Sequence, residues 1–374
     1  METRVLHVAS GDLWAGAEVQ LYYLATAQRD LPAVVVSVAL LNEGILAQRL
    51  RGAGIPVHVI DERTHGTLGL LSLLQNIRDT FRPNVIHTHR RKENLLGALA
   101  RRGLHDVVSV RTVHGAPEGP RDSLRQRVLD WSDQLVGKLL QHKIVAVTPH
   151  LEQALGLIYG AELTTCIENG IDDAAVERDS NLAPPIEPTH RIRVGFAGRL
   201  VPVKRVDVFL RMASELVRRG PGRFEFLVIG DGPERESLER LADELGLRDA
   251  VNFLGFRADA LPLIRSMDAM VLTSDHEGLP MIALEALAVG TPMVSHAVGG
   301  LPDLLSSPGT GALVSSQDPV AFAAAVEAVT AERRSSRKSL VAERFTSRHC
   351  ARAYAGLYRE LLAVRGAHAP SVAA

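Results

Sequence analysis

Short apolar runs alternate with amphipathic helical patterns along almost the whole chain. The first run, residues 4–10, predicts a strand, and the apolar spacing of residues 18–28 predicts a helix after it. Continuous valine-rich runs such as residues 33–40 are typical of strands that are buried on both faces of a parallel sheet. Because strands and helices alternate in this way, the sequence predicts a doubly wound α/β fold.

The alternation pauses at residues 181–190, where three prolines and few apolar residues indicate a linker. We therefore predict two Rossmann-like doubly wound domains, residues 1–182 and 191–345, followed by a C-terminal helix over 346–365. Ligands of such sheets bind beyond the carboxyl ends of the strands. Two domains of this kind facing a central cleft would place the chemistry in the loops that follow their strands.

Composition excludes several classes of protein. The 374 residues include 42 Lys+Arg and 43 Asp+Glu, and this net charge of −1 argues against a dedicated nucleic-acid binder. A hydrophobic share of 46% is too high for a disordered chain. The two cysteines, Cys166 and Cys350, form no spaced cluster, which excludes a disulfide framework and a cysteine-rich zinc site.

The sequence has no apolar run of the roughly 20 residues that cross a bilayer, and its first residues do not resemble a secretory signal. We expect a soluble, cytoplasmic protein that can sit peripherally on the inner membrane face. The helical pattern over 121–143 is basic and amphipathic, which would suit a membrane surface and a lipid-linked acceptor. The favoured interpretation is a helix packed on the sheet with a solvated basic edge.

The loop over 198–205 follows a predicted buried strand and precedes a helix. It carries Gly198, Arg199 and Lys204, and two cations that converge on a strand end suit a diphosphate. Lysine is scarce in this chain, which makes Lys204 notable. The alternative is a solvated charged turn.

Two carboxylates flank a predicted helix start within residues 273–286. Pro280 suits the first helical turn, Glu277 precedes it on the loop, and Glu285 lies in an otherwise apolar helix. Carboxylates bind sugar hydroxyls and N-terminal amides bind phosphate, so the pattern predicts a site for a sugar joined to a phosphate. In the alternative, Glu277 is an ordinary cap and Glu285 meets an internal arginine.

The first domain offers weaker signals. Gly16 lies at a predicted helix start where backbone amides could meet a phosphate, although a flexible turn is the alternative and no dinucleotide fingerprint is present. His87 and His89 point to one face of a strand, but no third or fourth ligand is expected near them, so we predict no metal site. His89 and Arg90 are expected at an acceptor cleft or at a solvated strand end.

Several motifs occur in the order that one enzyme family shows. E-G-L-P-M-I-A-L-E is similar to that family's E-x7-E motif, and F-A-G-R-L-V-P-V-K lies ahead of it. The chain thus resembles, over nearly its whole length, the retaining glycosyltransferases of the GT-B fold, family 4 (glycosyl transferases group 1). The stretches that carry the resemblance are 14–18, 111–115, 169–172, 196–204, 277–285 and 286–294.

The resemblance implies a role for each matching position. It implies that Arg199 and Lys204 hold the donor diphosphate, that Glu277 contacts sugar hydroxyls, and that Glu285 binds ribose. The implied catalytic residues are His114, Glu277, Arg199 and Lys204, and the acceptor-side residues are Trp14, His89, Arg90 and His114. The implied donor-binding residues are Gly16, Gly198, Arg199, Lys204, Phe256, Arg257, Glu277, Leu279, Pro280, Met281, Ile282 and Glu285.

The resemblance also implies the reaction. A sugar would pass, with retention and without a metal or other cofactor, from a nucleotide-diphosphate sugar of UDP or GDP type to a hydroxyl acceptor. The acceptor would be a glycan, a lipid-linked intermediate or a small metabolite, and the C-terminal helix would cross back onto the first domain. A GT-B-like nucleotide-sugar epimerase and a non-catalytic sugar-binding protein are the alternatives.

Overall fold

The computed structural model describes residues 2–104, 106–115, 124–182, 189–331 and 338–368, without the side chains of 124–130, 182 and 366–368. Most of the expected linker (183–188) and the start of the expected basic helix (121–123) lie outside these residues. The chain forms two compact units. Unit 1 holds the chain up to Gly170 and from Arg344 onward, and unit 2 holds Ile171–Glu343.

Unit 1 alternates strands and helices as predicted. Its elements up to Gly170 are β1 (Thr3–Ala9), α1 (Gly16–Arg29), β2 (Val34–Leu40), α2 (Ile45–Gly52), β3 (Val57–Val59), α3 (Thr67–Phe81), β4 (Val85–Thr88), α4 (Arg91–Arg101), β5 (Val108–Val113), α5 (Leu124–Leu140), β6 (Lys143–Ala146), α6 (Pro149–Tyr159) and β7 (Thr164–Cys166). The seven strands pair in parallel in the order β3-β2-β1-β4-β5-β6-β7.

Unit 2 repeats the architecture with six strands. Its elements are α7 (Asp173–Leu182), β8 (Ile192–Ala197), α8 (Val206–Arg219), β9 (Phe224–Ile229), α9 (Arg235–Glu244), β10 (Val251–Gly255), α10 (Ala260–Arg265), β11 (Ala269–Leu272), α11 (Met281–Ala288), β12 (Met293–His296), α12 (Leu301–Leu304), β13 (Gly311–Val314) and α13 (Pro319–Ala331). Its parallel order is β10-β9-β8-β11-β12-β13.

Strand β1 shows why the sheet of unit 1 needs helices on both faces. Leu6 and Val8 lie in the core cluster that the leucines of α3 and α4 complete, whereas Val5 lies in a cluster on the opposite face. Successive side chains of a strand point to opposite faces, so a strand with apolar residues on both faces has to be covered twice. The predicted doubly wound α/β class is confirmed by both parallel sheets.

The last helix, α14 (Ser347–His368), packs on unit 1. Its buried side chains recur at helical spacing and join Val5 of β1 and Leu24 of α1 in one core cluster; they are Cys350, Ala351, Tyr354, Leu357 and Tyr358. This apolar stripe is the spacing that predicted the helix from sequence.

The boundary between the units differs from the one expected at residue 182. Helix α7 packs on α10 and α11, and Arg265 donates a hydrogen bond to the Ser180 hydroxyl, so α7 belongs to unit 2. The proline-rich pause marks the end of α7, whereas the chain passes from one unit to the other at Gly170. In the described part of the chain, no helix combines the length and the apolar character that crossing a membrane would require.

Candidate active site

In unit 2 the strand order reverses between β8 and β11, which is where a doubly wound sheet binds its ligands. The loop after β8 carries Gly198, Arg199 and Lys204, and the loop after β11 carries Glu277 and ends at Pro280. The structure therefore brings both predicted loops of the second domain to the same edge of one sheet.

Lys204 and Glu277 form an ion pair between these two loops. The Lys204 Nζ lies 2.7 Å from Glu277 Oε1, and the Ser274 hydroxyl donates to the same oxygen at 2.6 Å. The two charged side chains are only 18% and 8% exposed, so water screens their attraction weakly. Glu277 is therefore held in one position by a cation and a hydroxyl that come from separate segments of the chain.

Neighbouring polar groups tie the two loops together. The Thr273 hydroxyl donates to the carbonyl oxygens of Lys204 and Arg205, and the Asp275 amide donates to the Val203 carbonyl. Gln317 donates from its side chain to the Thr273 carbonyl at 2.8 Å. These contacts fix the backbone on both sides of the ion pair, and no sequence motif indicated them.

A glycine turn after β12 packs directly against the Glu277 backbone. Gly299 has a φ of 59°, and a Cβ on it would lie 2.1 Å from the Glu277 carbonyl oxygen. The Gly300 amide donates to the Gly278 carbonyl at 2.8 Å. Because only glycine combines this conformation with so close an approach, Gly299 helps to set the position of Glu277.

Helix α11 starts immediately after this loop, with Pro280 as its N-cap. Leu279 and Met281 are 3% and 2% exposed, so their side chains belong to the core and only their backbone faces the loop region. The first amides of a helix lack partners within the helix and attract anions. Ile282 and Glu285 are half-buried on the same short helix, with Glu285 one turn beyond its start.

Three further predicted donor residues lie at the surface of unit 2. Arg199 is exposed on the loop after β8. Phe256 follows β10 and is 54% exposed, so much of its ring is accessible to a flat partner. Arg257 is exposed and pairs with Asp259 at 2.7 Å.

In unit 1 the strand order reverses between β1 and β4, and Arg90 lies just after β4. Its guanidinium lies 2.5 Å from Glu18 Oε1 and 3.6 Å from Asp12 Oδ1. Burial raises the pKa of Glu18 to about 7, against the opposing effect of the Arg90 charge. A second buried acid, Glu93, accepts a hydrogen bond from Ser10, and burial raises its pKa as well. Sequence reasoning missed both carboxyl groups as site candidates.

Gly16 and Trp14 occupy the loop after β1 and the start of α1. Gly16 is exposed, and a Cβ placed on it would meet no atom within 4 Å, so packing inside the protein does not require glycine there. Trp14 is half-buried, packs edge-on against Tyr22 at 6.1 Å between ring centroids, and lies beneath the Arg49 guanidinium. These contacts lie within unit 1, and the acceptor-side role of Trp14 stays a prediction.

A chain of histidines runs through unit 1 to His114. His7 Nδ1 lies 3.0 Å from His89 Nε2, and His89 Nδ1 lies 3.3 Å from His114 Nε2. His89 was expected at an acceptor cleft or a solvated strand end. It is instead 4% exposed, with both ring nitrogens engaged by other histidines. Burial and the Arg90 charge lower the pKa of the half-buried His114 to about 3.

The expectation that no third metal ligand lies near His87 and His89 was wrong. His7 pairs with His87 in the register of β1 and β4, and the three buried rings offer nitrogens within 4.8 Å of one another. All six of their ring nitrogens nevertheless have protein partners, which for His87 are Tyr358 and Thr112 and for His7 are Gln28 and His89. These hydrogen bonds engage the ring nitrogens whose lone pairs would have to ligate a metal.

Comparison with known proteins agrees with this architecture. The chain matches HepE of Anabaena, solved in complex with UDP and glucose, with a TM-score of 0.80 and 23% identity over 96% of this chain and 100% of that one. It matches the sucrose-phosphate synthase of Thermosynechococcus elongatus with a TM-score of 0.71 and 19% identity, over 97% of this chain and 100% of that one. The fold is therefore that of the GT-B glycosyltransferases, as predicted.

Sequence comparison gives the family. Residues 14–175 match the model described as glycosyltransferase family 4, and residues 191–332 match glycosyl transferases group 1. The D-inositol 3-phosphate glycosyltransferase of Mycolicibacterium smegmatis is 30% identical over an alignment that covers 85% of this chain and 75% of that protein. The Mycobacterium tuberculosis enzyme of the same name is 28% identical over 83% of this chain and 67% of its own length. The chain belongs to the family 4 glycosyltransferases of group 1.

Proposed function

We propose that this glycosyltransferase moves a sugar from a nucleotide-diphosphate sugar to a hydroxyl acceptor. The observation that carries the proposal is the Lys204–Glu277 pair, which lies at the reversal of the strand order in unit 2. We assign Oε1 of Glu277 to Lys204 and Ser274, and Oε2 to hydroxyls of the donor sugar. Lys204, Arg199 and the first amides of α11 then stabilise the negative charge that develops on the leaving diphosphate.

The roles of the remaining donor residues follow from their chemistry. Glu285, half-buried on α11, binds the ribose hydroxyls, and the exposed ring of Phe256 flanks the base with Arg257 beside it. Gly198 and Gly16 let backbone amides approach the phosphates without a side chain in the way. A donor of UDP type is favoured because the Anabaena relative was solved with UDP and glucose, and a GDP donor is the second choice.

We infer retention of the anomeric configuration, with no enzyme nucleophile. Glu277 Oε1 is engaged by Lys204 and Ser274, which stabilises the carboxylate and weakens it as an attacking group. The acceptor hydroxyl would attack from the face that the phosphate leaves, and the phosphate would take its proton. The cationic side chains do the work that a metal does in other transferases, so the reaction proceeds without one.

On the acceptor side we propose that His114 and Arg90 of unit 1 meet the acceptor, with Trp14 shaping the loop. The mycobacterial relatives are named for an inositol phosphate acceptor, which makes small phosphorylated polyols the first acceptors to try, before glycans and lipid-linked intermediates. Neither Cys166 nor Cys350 is in a disulfide, which suits a reducing compartment and is in keeping with a cytoplasmic enzyme.

A peripheral membrane contact is proposed for α5. Trp131, Leu135 and Leu139 recur at intervals of four residues and are 64%, 41% and 69% exposed. An apolar stripe on one face of an amphipathic helix can insert at the headgroup boundary.

Cosedimentation with anionic vesicles tests this contact. The wild-type protein should sediment with the vesicles, whereas the double variant Trp131→Ser/Leu139→Ser should stay in the supernatant. The exposed Leu68→Ser serves as the control, and equal sedimentation of all three proteins would refute the assignment.

The donor is tested by thermal shift followed by turnover. UDP-, GDP- and ADP-sugars are compared for stabilisation, and the best donor is then assayed for freed nucleotide with and without acceptors. Acceptor-dependent release supports the proposal, and it should persist in excess EDTA. Tight sugar binding with no release from any donor would favour a sugar-binding module, and interconversion of the sugar without an acceptor would favour an epimerase.

A further inference from the structure

One buried side-chain amide links two hydrogen-bonded arms inside unit 1. Gln28 of α1 is fully buried, and its Oε1 lies 2.8 Å from His7 Nε2. Its Nε2 donates to the Tyr358 hydroxyl of α14 at 3.3 Å. The two ends of this amide differ chemically, because the oxygen only accepts hydrogen bonds and the nitrogen only donates them.

The coordinates place the Gln28 amide nitrogen on Tyr358, and the hydrogen bonds beyond Tyr358 are compatible with this orientation. The Tyr358 hydroxyl lies 2.7 Å from His87 Nδ1, and His87 Nε2 lies 2.7 Å from the Thr112 hydroxyl, which in turn meets Tyr354 at 2.6 Å. The Tyr358 oxygen accepts from the amide, which leaves its proton for His87 Nδ1. All members of this arm are buried, so water does not compete for these groups.

A second series of hydrogen bonds runs from His7 through His89 to His114. The orientation of the Gln28 amide sets which nitrogen donates and which accepts in each of them. Burial lowers the pKa of His7 to about 4 and those of His87 and His89 well below the usual value, so the rings are neutral near pH 7. A neutral imidazole has one N–H and one lone pair. Because the Gln28 oxygen needs a donor, His7 carries its proton on Nε2. His7 Nδ1 then accepts from His89 Nε2–H, and His89 Nδ1 accepts from His114 Nε2–H.

We propose that Gln28, His7 and His89 are positioning residues that hold His114 as its Nε2–H tautomer and thereby present its Nδ1 as a hydrogen-bond acceptor for a substrate hydroxyl. The inference rests on the proposed function for the identity of that hydroxyl, but the tautomer itself does not depend on it. A reversed amide would reverse every hydrogen bond of the arm and leave a proton on His114 Nδ1.

The difference matters for recognition of an acceptor. A ring nitrogen that accepts the hydrogen of a hydroxyl leaves the oxygen lone pairs free to point at the carbon under attack. A ring N–H would instead bind one of those lone pairs and compete with the reaction. The arm therefore sets the orientation in which the hydroxyl binds, and during transfer the hydroxyl hydrogen turns from His114 Nδ1 to the leaving phosphate that takes it.

The test measures the tautomer directly in the ligand-free protein. Long-range proton–nitrogen correlation spectra of protein labelled with ¹⁵N in its histidine rings distinguish protonated from unprotonated ring nitrogens, and His114→Asn assigns the signal. We expect His114 with a protonated Nε2 and an unprotonated Nδ1. Gln28→Leu should give a mixture of both tautomers and a fall of about tenfold in kcat/KM, which corresponds to about 1.4 kcal/mol.

Thr112→Val is the matched control, because it removes hydrogen bonds from the other buried arm and leaves the path from Gln28 to His114 intact. It should keep the single His114 tautomer. A proton on His114 Nδ1 in the wild-type protein would overturn the proposal even if Gln28→Leu fails to fold. One tautomer retained in folded Gln28→Leu, or stoichiometric zinc with metal-shifted resonances of His7, His87 and His89, would also overturn it. None of these results depends on whether any donor is turned over.

Discussion

Lys204 Nζ and Glu277 Oε1 lie 2.7 Å apart although 73 residues separate them in the chain. The pair exists because β8 and β11 are neighbours in the sheet of unit 2, so the loops after them leave the sheet side by side. In the proposed reaction Lys204 neutralises the departing phosphate while it holds Glu277 against the sugar.

Replacing Lys204 should therefore affect turnover far more than folding. We expect Lys204→Ala to lower kcat by about 100-fold or more, the usual cost of losing one preorganised charge-stabilising group. The matched control is Lys338→Ala, which removes an exposed lysine from the same unit. Steady-state assays with circular dichroism as the folding check decide the point. A Lys204→Ala variant that is folded and as active as Lys338→Ala would remove Lys204 from the site.

Gly299 packs against the Glu277 backbone, and a methyl group at position 299 should displace Glu277. Gly299→Ala should lose about 1–3 kcal/mol from its left-handed backbone alone, with a further cost from the clash 2.1 Å from the Glu277 carbonyl. Gly222→Ala is the matched control, because Gly222 also has a positive φ but open space around it. Urea unfolding should rank Gly299→Ala as the less stable variant, and it alone should lose turnover. Equal behaviour of the two variants would mean that the close approach is not needed.

Gly16 offers the opposite case, a glycine that the protein itself does not need. Gly16→Ala should keep or slightly raise the melting temperature, since alanine favours helices over glycine. It should weaken donor turnover at least about tenfold if a phosphate approaches this backbone. Gly52→Ala, at the end of α2 with equally open surroundings, should affect the melting temperature in the same way but leave donor turnover unchanged. Full activity in Gly16→Ala would exclude a phosphate at this position.

Unit 1 should be labile to acid because of its buried histidines. Unfolded histidine has a pKa near 6.5, whereas burial lowers those of His7 and His114 to about 4 and about 3 in the folded protein. Between these values the unfolded state binds more protons, so the free energy of unfolding is highest above about pH 7 and falls as the pH drops from 6.5 toward 4. For His7 alone the loss amounts to about 3 kcal/mol.

Tryptophan fluorescence can follow this loss in unit 1 specifically, because the sequence has two tryptophans and both Trp14 and Trp131 belong to that unit. Urea unfolding monitored this way should show a midpoint that declines from pH 7 to pH 5. His7→Leu lacks one of the histidines with a lowered pKa, so its urea midpoint should decline less steeply with falling pH. A constant midpoint over this range would show that the histidines are not buried as neutral rings.

Much of the architecture could be predicted from the sequence because apolar runs and helical spacing are local signals. The placement of the loops over 198–205 and 273–286 at one sheet edge also followed, since the carboxyl ends of parallel strands share an edge. The contacts of Glu277 could not be predicted from the sequence, because Lys204 and Ser274 come close to Glu277 only through the pairing of β8 with β11.

The hydrogen bonds that join Gln28, His7, His89 and His114 show most clearly what could not be predicted from the sequence alone. They need the register that sets His7 beside His87, and they need Gln28 and Tyr358, which lie 330 residues apart. A signal was present in the sequence, because β1 and β4 each carry a histidine directly after two apolar residues. The boundary at Gly170 was missed for a different reason, since the prolines that suggested a linker follow α7 instead of preceding it.

The central claim is sugar transfer from a nucleotide-diphosphate donor with retention. It is tested most directly by incubating the protein with its best donor and an acceptor, then measuring freed nucleotide and glycoside product by proton NMR in the same tube. We predict equal amounts of nucleoside diphosphate and of a glycoside with the donor's anomeric configuration, and loss of both in Glu277→Gln. Nucleotide release without a matching glycoside, or a glycoside of inverted configuration, would contradict the account.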